Sequence, residues 1–178
     1  MPRKPLHLRM MNKAFDYLGR YASSRHKLAQ ILQRFATRKL TDYDPDDIAT
    51  AIQQTIDHCS KLGYLNDQQF AVTVARGQRR LGRSQAVIRQ RLRQHALDDD
   101  IIAHALAEAD ENRANGDLQA AIRFAQRRDA HHQRRDTHEW KQRDLGAMAR
   151  AGFSMATSQL VLDQEDPDTI DDLLHRLD

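Results

Sequence analysis

Apolar residues recur along this chain at intervals of three and four, the spacing that gathers them on one side of an α-helix, and no stretch alternates as a half-buried strand would. The first run is Met10, Ala14, Leu18 and Ala22, with Met11 and Phe15 beside it. The second is Leu28, Ile31, Leu32 and Phe35, opened by Ser23 or Ser24, whose side-chain oxygen can accept from a free amide of the first turn. Pro45 opens a third stripe of Ile48, Ile52, Ile56, Cys59 and Leu62, because a proline in the first turn forfeits no helical hydrogen bond. Gly63 ends it, since glycine enters the left-handed region freely, and Tyr64 and Leu65 are placed to fold back as an apolar anchor.

The pattern continues to the far end. Asn66 with Gln69 resembles a capping box and precedes Phe70, Val74 and Leu81. A fifth helix runs from Ser84 through Ile88 and Leu92 to His95. The sixth has Asp98 to Asp100 in its first turn, where carboxylates suit the positive end of the helix dipole, and then Ile101, Ala105, Leu106 and Ala109. Past a break at Asn115 and Gly116 come Leu118, Ile122 and Ala125, then Trp140, Leu145 and Met148, then Met155, Leu160 and Val161. Ile170, Leu173, Leu174 and Leu177 give the acidic stretch Asp166 to Asp178 the spacing of a short helix.

Ser24, Leu28 and Leu32 fall sixty residues before Ser84, Ile88 and Leu92, so a three-helix unit recurs. The expected fold is all-α, an elongated array of three tandem three-helix repeats. The first repeat, with a basic N-terminal segment, takes residues 1–62, the second 63–112 and the third 113–163, with an acidic tail over 164–178. Such arrays present extended surfaces, better fitted to a long partner than to a small ligand.

Composition narrows the class. With 40% hydrophobic and 6% aromatic residues, the core of this 178-residue chain rests on Leu, Ile and Ala. The single cysteine, Cys59, forms no internal disulfide and reads as a small core residue in a reducing compartment. The apolar runs are too short to cross a membrane and no signal peptide opens the chain, so a cytoplasmic monomer is expected.

The net charge of +3 conceals blocks of alternating sign: +9 over 1–39, −5 over 40–75, +7 over 76–95, −6 over 96–112, +4 over 113–143 and −6 over 144–178. The block 76–95 holds seven arginines and no acid. Such a cluster repels itself unless phosphate or acidic side chains meet it. Arg89 and Arg93 lie one turn apart and flank the Ile88 and Leu92 stripe.

Enzymatic readings fail on context. Ser24 and Lys27 fit a Ser-x-x-Lys pattern, but no partner motif follows and a capping serine accounts for it. His131, His132 and His138 lack metal-ligand spacing, and the aspartates at 42–47 and 98–100 lack the glycine and closing glutamate of a calcium loop. No glycine-rich phosphate cradle occurs. Trp140 and the tyrosines read as packing residues more readily than as base-stacking platforms. No catalytic residue, metal or cofactor is expected.

The segment Gly63-Tyr64-Leu65-Asn66-Asp67, with Phe70-Ala71, Arg80, Gly82, Ile88, Leu92 and the stretch Ile101 to Leu106, resembles the RecX family. Ala14, Tyr17-Leu18, Ser24, Leu28 and Leu32 fit that family's first helical pair, and the resemblance covers roughly residues 10–162. It implies an all-helical regulator of the recombinase RecA that lodges in the groove of the RecA filament on single-stranded DNA. Such a regulator restrains ATP hydrolysis, strand exchange and coprotease activity, and with them recombinational repair and the SOS response. The lysine-glycine turn usual after the second helix of a repeat is replaced by Arg34-Phe35 with a longer polar insertion, and by His95-Ala96 in the next unit, so reshaped turns are expected. Candidate contacts to filament or DNA are Arg20, Arg25, Lys27, Arg76, Arg79, Arg80, Arg83, Arg89 and Arg93. The alternative is a helical DNA-binding protein acting mainly through phosphate contacts.

Overall fold

The computed structural model describes residues 5–111, 115–128 and 138–163, with residues 138 and 139 described in their backbone only. Among these residues there are nine α-helices and no strand. The helical pattern at 166–178, and His131 and His132, lie outside the described residues. Contacts divide the chain into two units, one reaching Ala71 and including His95–Leu97, the other holding Val72–Gln94 and the residues from Asp98 onward.

The first unit contains α1 (Leu6–Leu18), α2 (Arg25–Lys39), α3 (Pro45–Lys61) and the start of α4 (Asp67–Arg80). Met10 and Ala14 of α1, Leu28, Leu32 and Ala36 of α2, and Ile52, Ile56 and Cys59 of α3 are buried in one cluster closed by Leu40 and Leu65. Helix α1 stops a turn short of Ala22, which is exposed, because the chain turns at Gly19 and the Tyr21 amide bonds back to the Tyr17 carbonyl. Ser24 caps α2 by accepting from the Lys27 amide at 3.2 Å, and Asp44 caps α3 by accepting from the Asp46 amide at 2.8 Å, with Pro45 in the first turn.

At the end of α3, Gly63 adopts φ +79° while the Tyr64 amide donates to the Cys59 carbonyl. Leu65 folds back into the core as expected, but Tyr64 remains exposed and meets Phe15 edge-on at 5.5 Å between ring centroids. The Asn66 side chain caps α4 by accepting from the Gln69 amide at 2.9 Å.

The second unit holds the rest of α4, then α5 (Gln85–Arg93), α6 (Asp99–Asp110), α7 (Gly116–Arg127), α8 (His138–Arg150) and α9 (Met155–Leu162). Ile88 and Leu92 of α5 are fully buried, as are Ile102 and Ala105 of α6. Helices α7 to α9 enclose a cluster of Ala120, Ala121, Ile122, Ala125, Met148, Phe153 and Val161.

The apolar stripes misplace several residues. Leu81, Trp140, Met155 and Leu160 are exposed. In α4 the buried positions are Ala71, Val72 and Ala75, which are small, and Arg79, which is charged. A stripe drawn through large apolar residues passes over such a face.

Candidate functional site

The arginines of the block 76–95 other than Arg91 are candidate contacts, and the fold treats them differently. Arg79 is only 3% exposed. Its guanidinium donates to Asp110 through Nε and Nη2, at 2.8 and 2.7 Å, and to Asp117 and the Arg83 carbonyl through Nη1, at 3.0 and 2.9 Å. Such an inward-facing, fully bonded arginine ties α4 to α6 and α7, and a partner cannot reach it. Arg76 pairs with Glu108 at 2.8 Å and Arg93 with Asp99 at 3.0 Å, both near the surface. Arg80 and Arg83 are exposed and Arg89 is half-buried, and none of the three has an ion-pair partner among the described residues.

The candidates of the first unit divide in the same way. Arg20 pairs with Asp16 at 2.6 Å on the surface. Arg25 is engaged by its own fold: its guanidinium reaches Asp57 and Ser60, and its backbone amide donates to Asp67 at 2.9 Å. The hydrogen bond from Arg25, followed by that from Gln53, holds the Asp57 carboxyl below the usual aspartate range. Lys27, half-buried, carries no ion pair among the described residues.

Two features escaped the sequence reading. Arg127, at the last turn of α7, lays its guanidinium against Gly82, so close that a Cβ there would stand 2.8 Å from Nη2. It therefore joins Arg80 and Arg83 at the turn between α4 and α5, although it is more than forty residues away in sequence. The carboxylates that neutralise Arg76, Arg79 and Arg93 come from the acidic block 96–112 and from Asp117, so much of the alternation in charge is resolved within the molecule.

Nothing among the described residues assembles a reaction centre. Ser24 is buried and its hydroxyl serves α2 as a cap, while Lys27 contributes only its backbone amide there. His95 Nδ1 lies 3.5 Å from Ser24 Oγ, and its ring packs against Phe70. No group of three potential metal ligands occurs among the described residues. A shallow groove of about 580 Å³ along α2 is lined by Gln30, Gln33, Arg34, Thr37, Arg38 and Ile52 among others; it has no carboxylate, and its one hydroxyl, that of Thr37, donates to the Gln33 carbonyl at 3.0 Å. Burial pushes the Cys59 thiol upward, opposite to the shift that makes a cysteine reactive. No helix of the described residues is long and apolar enough to cross a membrane.

Comparison with known proteins gives this surface a context. A family model described as RecX, second three-helix domain, matches residues 66–106, the span of α4 to α6. The regulatory protein RecX of Myxococcus xanthus is 29% identical over 165 residues, covering 91% of this chain and 88% of its own length. The chain is similar to RecX-family proteins along most of its length. A crystal structure of a regulatory protein RecX shares the fold at a TM-score of 0.69 and 15% identity, over 89% of this chain and 72% of that one. RecX from Lactobacillus salivarius does so at 0.62 and 19%, over 97% and 98%. Both the Myxococcus xanthus relative and the first of these structures are described as regulatory proteins. The RecX match places Arg76, Arg79, Arg80, Arg83, Arg89 and Arg93 all within the family's second three-helix domain.

Proposed function

We propose that this chain regulates the recombinase RecA. In this reading it lodges in the groove of the RecA filament on single-stranded DNA, in the cytoplasm, and lowers ATP hydrolysis, strand exchange and coprotease activity. Recombinational repair and the SOS response are restrained as a result. The observation that carries the reading is the set Arg80, Arg83 and Arg89, left without carboxylate partners among the described residues on α4, the following turn and α5, inside the stretch matched by the family. Arginines in that state are a preformed docking charge, because their neighbours have been neutralised by the chain itself and they have not.

The test reverses these charges together, Arg80→Glu, Arg83→Glu and Arg89→Glu. Surface charges contribute about 0–1 kcal/mol to stability, so helical circular dichroism stays unchanged. The concentration needed to inhibit RecA rises about tenfold or more, equivalent to roughly 1.4 kcal/mol of lost binding. Undiminished inhibition by the folded triple variant would clear these residues of the role.

Direct binding to DNA phosphates is the second reading, favoured by the same bare guanidiniums. It requires affinity for naked single strands that falls with salt, at a logarithmic slope of about −0.7 per phosphate contacted. An oligonucleotide that shows no shift at low salt eliminates it.

A further inference from the structure

The turn between α4 and α5 is held from several sides within its own unit. The Gly82 amide donates to the Arg79 carbonyl at 2.9 Å and the Arg83 amide to the Gln78 carbonyl at 3.2 Å. Buried Arg79 grips the Arg83 carbonyl, and Ser84 caps α5 while its hydroxyl donates to the Ala151 carbonyl at 2.7 Å. Gly82 takes φ +69°, where a side chain is strained, and Arg127 fills the space a Cβ would need. A backbone fixed at this many points loses little further freedom when a partner arrives.

On this turn stand Arg80 and Arg83, with the guanidinium of Arg127 against its middle. Between them Leu81 is 60% exposed. None of the three arginines has an ion-pair partner among the described residues, whereas Arg76, Arg79 and Arg93 nearby all do.

We propose that the Gly82 turn is a docking surface for an acidic protein segment that carries an aliphatic side chain among its carboxylates. A phosphodiester backbone would satisfy the arginines equally well but leaves the exposed aliphatic Leu81 on the same turn unexplained. An acidic helix accounts for both, since carboxylates three and four residues apart meet the guanidiniums while a leucine between them covers Leu81. The chain itself displays the complementary chemistry: Glu108 and Asp110 of α6 meet Arg76 and Arg79 of α4. The proposal rests on the filament reading only in assigning that segment to the protein component of the filament. The surface can be tested without RecA.

The experiment measures fluorescence anisotropy with the full chain and three labelled probes. These are an acidic helical peptide of Glu with Leu at three- and four-residue spacing, the same peptide with Ser for Leu, and a single-stranded oligonucleotide of equal charge. The leucine peptide binds best, and exchanging its leucines for serine weakens it about tenfold. Leu81→Ser in the protein produces a similar loss for the leucine peptide and leaves the oligonucleotide unaffected. Charge reversal at Arg80, Arg83 and Arg127 abolishes peptide binding with helical content retained. If Leu81→Ser leaves the leucine peptide unchanged, or the oligonucleotide binds more tightly and displaces it, the proposal is overturned. Expected peptide binding by a protein without effect on RecA would count against the filament reading and leave this surface standing.

Discussion

Arg79 shows how a charge can belong to the core. Its two carboxylate partners, Asp110 and Asp117, keep partial access to solvent, while the guanidinium itself has almost none. Gly116 is part of the same arrangement, because a Cβ there would fall 2.2 Å from Asp110 Oδ1 and push that carboxylate off the arginine. Removing one partner of such a pair strands the other. Arg79→Met is therefore expected to cost about 3 kcal/mol in chemical denaturation, whereas Arg83→Met costs a few tenths. Equal, small losses for both would refute the buried role. Ala96 supplies a second case. It adopts φ +51°, so the turn keeps a glycine-type backbone with alanine at the position where the resemblance implies glycine. Ala96→Gly should raise stability by about 1 kcal/mol, read as an upward shift in the thermal midpoint. The sequence narrowed the cap of α2 to Ser23 or Ser24, of which the structure uses Ser24, and disclosed the core position of Cys59, both set by local spacing. Burial of Arg79 was not visible there, because it depends on acids more than thirty residues away.

Among elements, the recurrent device is a serine that opens a helix after a tight turn. Ser24, Ser84 and Ser154 each accept from the amide three residues on, at 3.2, 3.3 and 3.0 Å. Gly82-x-Ser84 and Gly152-x-Ser154 match closely, both glycines having positive φ, and the second turn packs on the first through the bond from Ser84 to Ala151. Seventy residues separate these serines, against sixty between Ser24 and Ser84, so a search at one fixed offset finds only the first pair. Two aspartates repeat a further motif. Asp67, in the first turn of α4, accepts from the Arg25 amide at the start of α2, and Asp117, in the first turn of α7, accepts from the Gln85 amide at the start of α5. Ser84→Ala should cost more than Ser154→Ala, about 2 kcal/mol against about 1, because it removes a cap and also orphans the Ala151 carbonyl. Equal costs by urea denaturation would show that the link between the turns contributes nothing. The helices were legible because a period near 3.6 survives local noise. Exposed Leu81, Trp140, Met155 and Leu160 were assigned to stripes because periodicity registers apolar character and cannot see which neighbour is missing.

At the scale of the molecule, formal charge alternates along the sequence while the fold cancels a large part of it. The sequence showed that seven arginines between 76 and 95 require anions, and four carboxylates of this chain meet three of them. The sequence alone could not sort those three from Arg80, Arg83 and Arg89, since the sorting depends on which helices pack together. It also gave no sign that Arg127 belongs at the Gly82 turn. The family resemblance was legible, carried by the segment from Gly63 to Asp67 and its spacing to Phe70, and the match at 66–106 takes in Asn66, Asp67 and Phe70 but begins after Leu65. Action on a recombinase filament is the function proposed for this protein. Its most direct test is the steady-state ATP turnover of preformed RecA filaments on single-stranded DNA, titrated with the full chain at physiological salt. Turnover is expected to fall at substoichiometric protein, whereas turnover unchanged at an equimolar ratio would contradict the account.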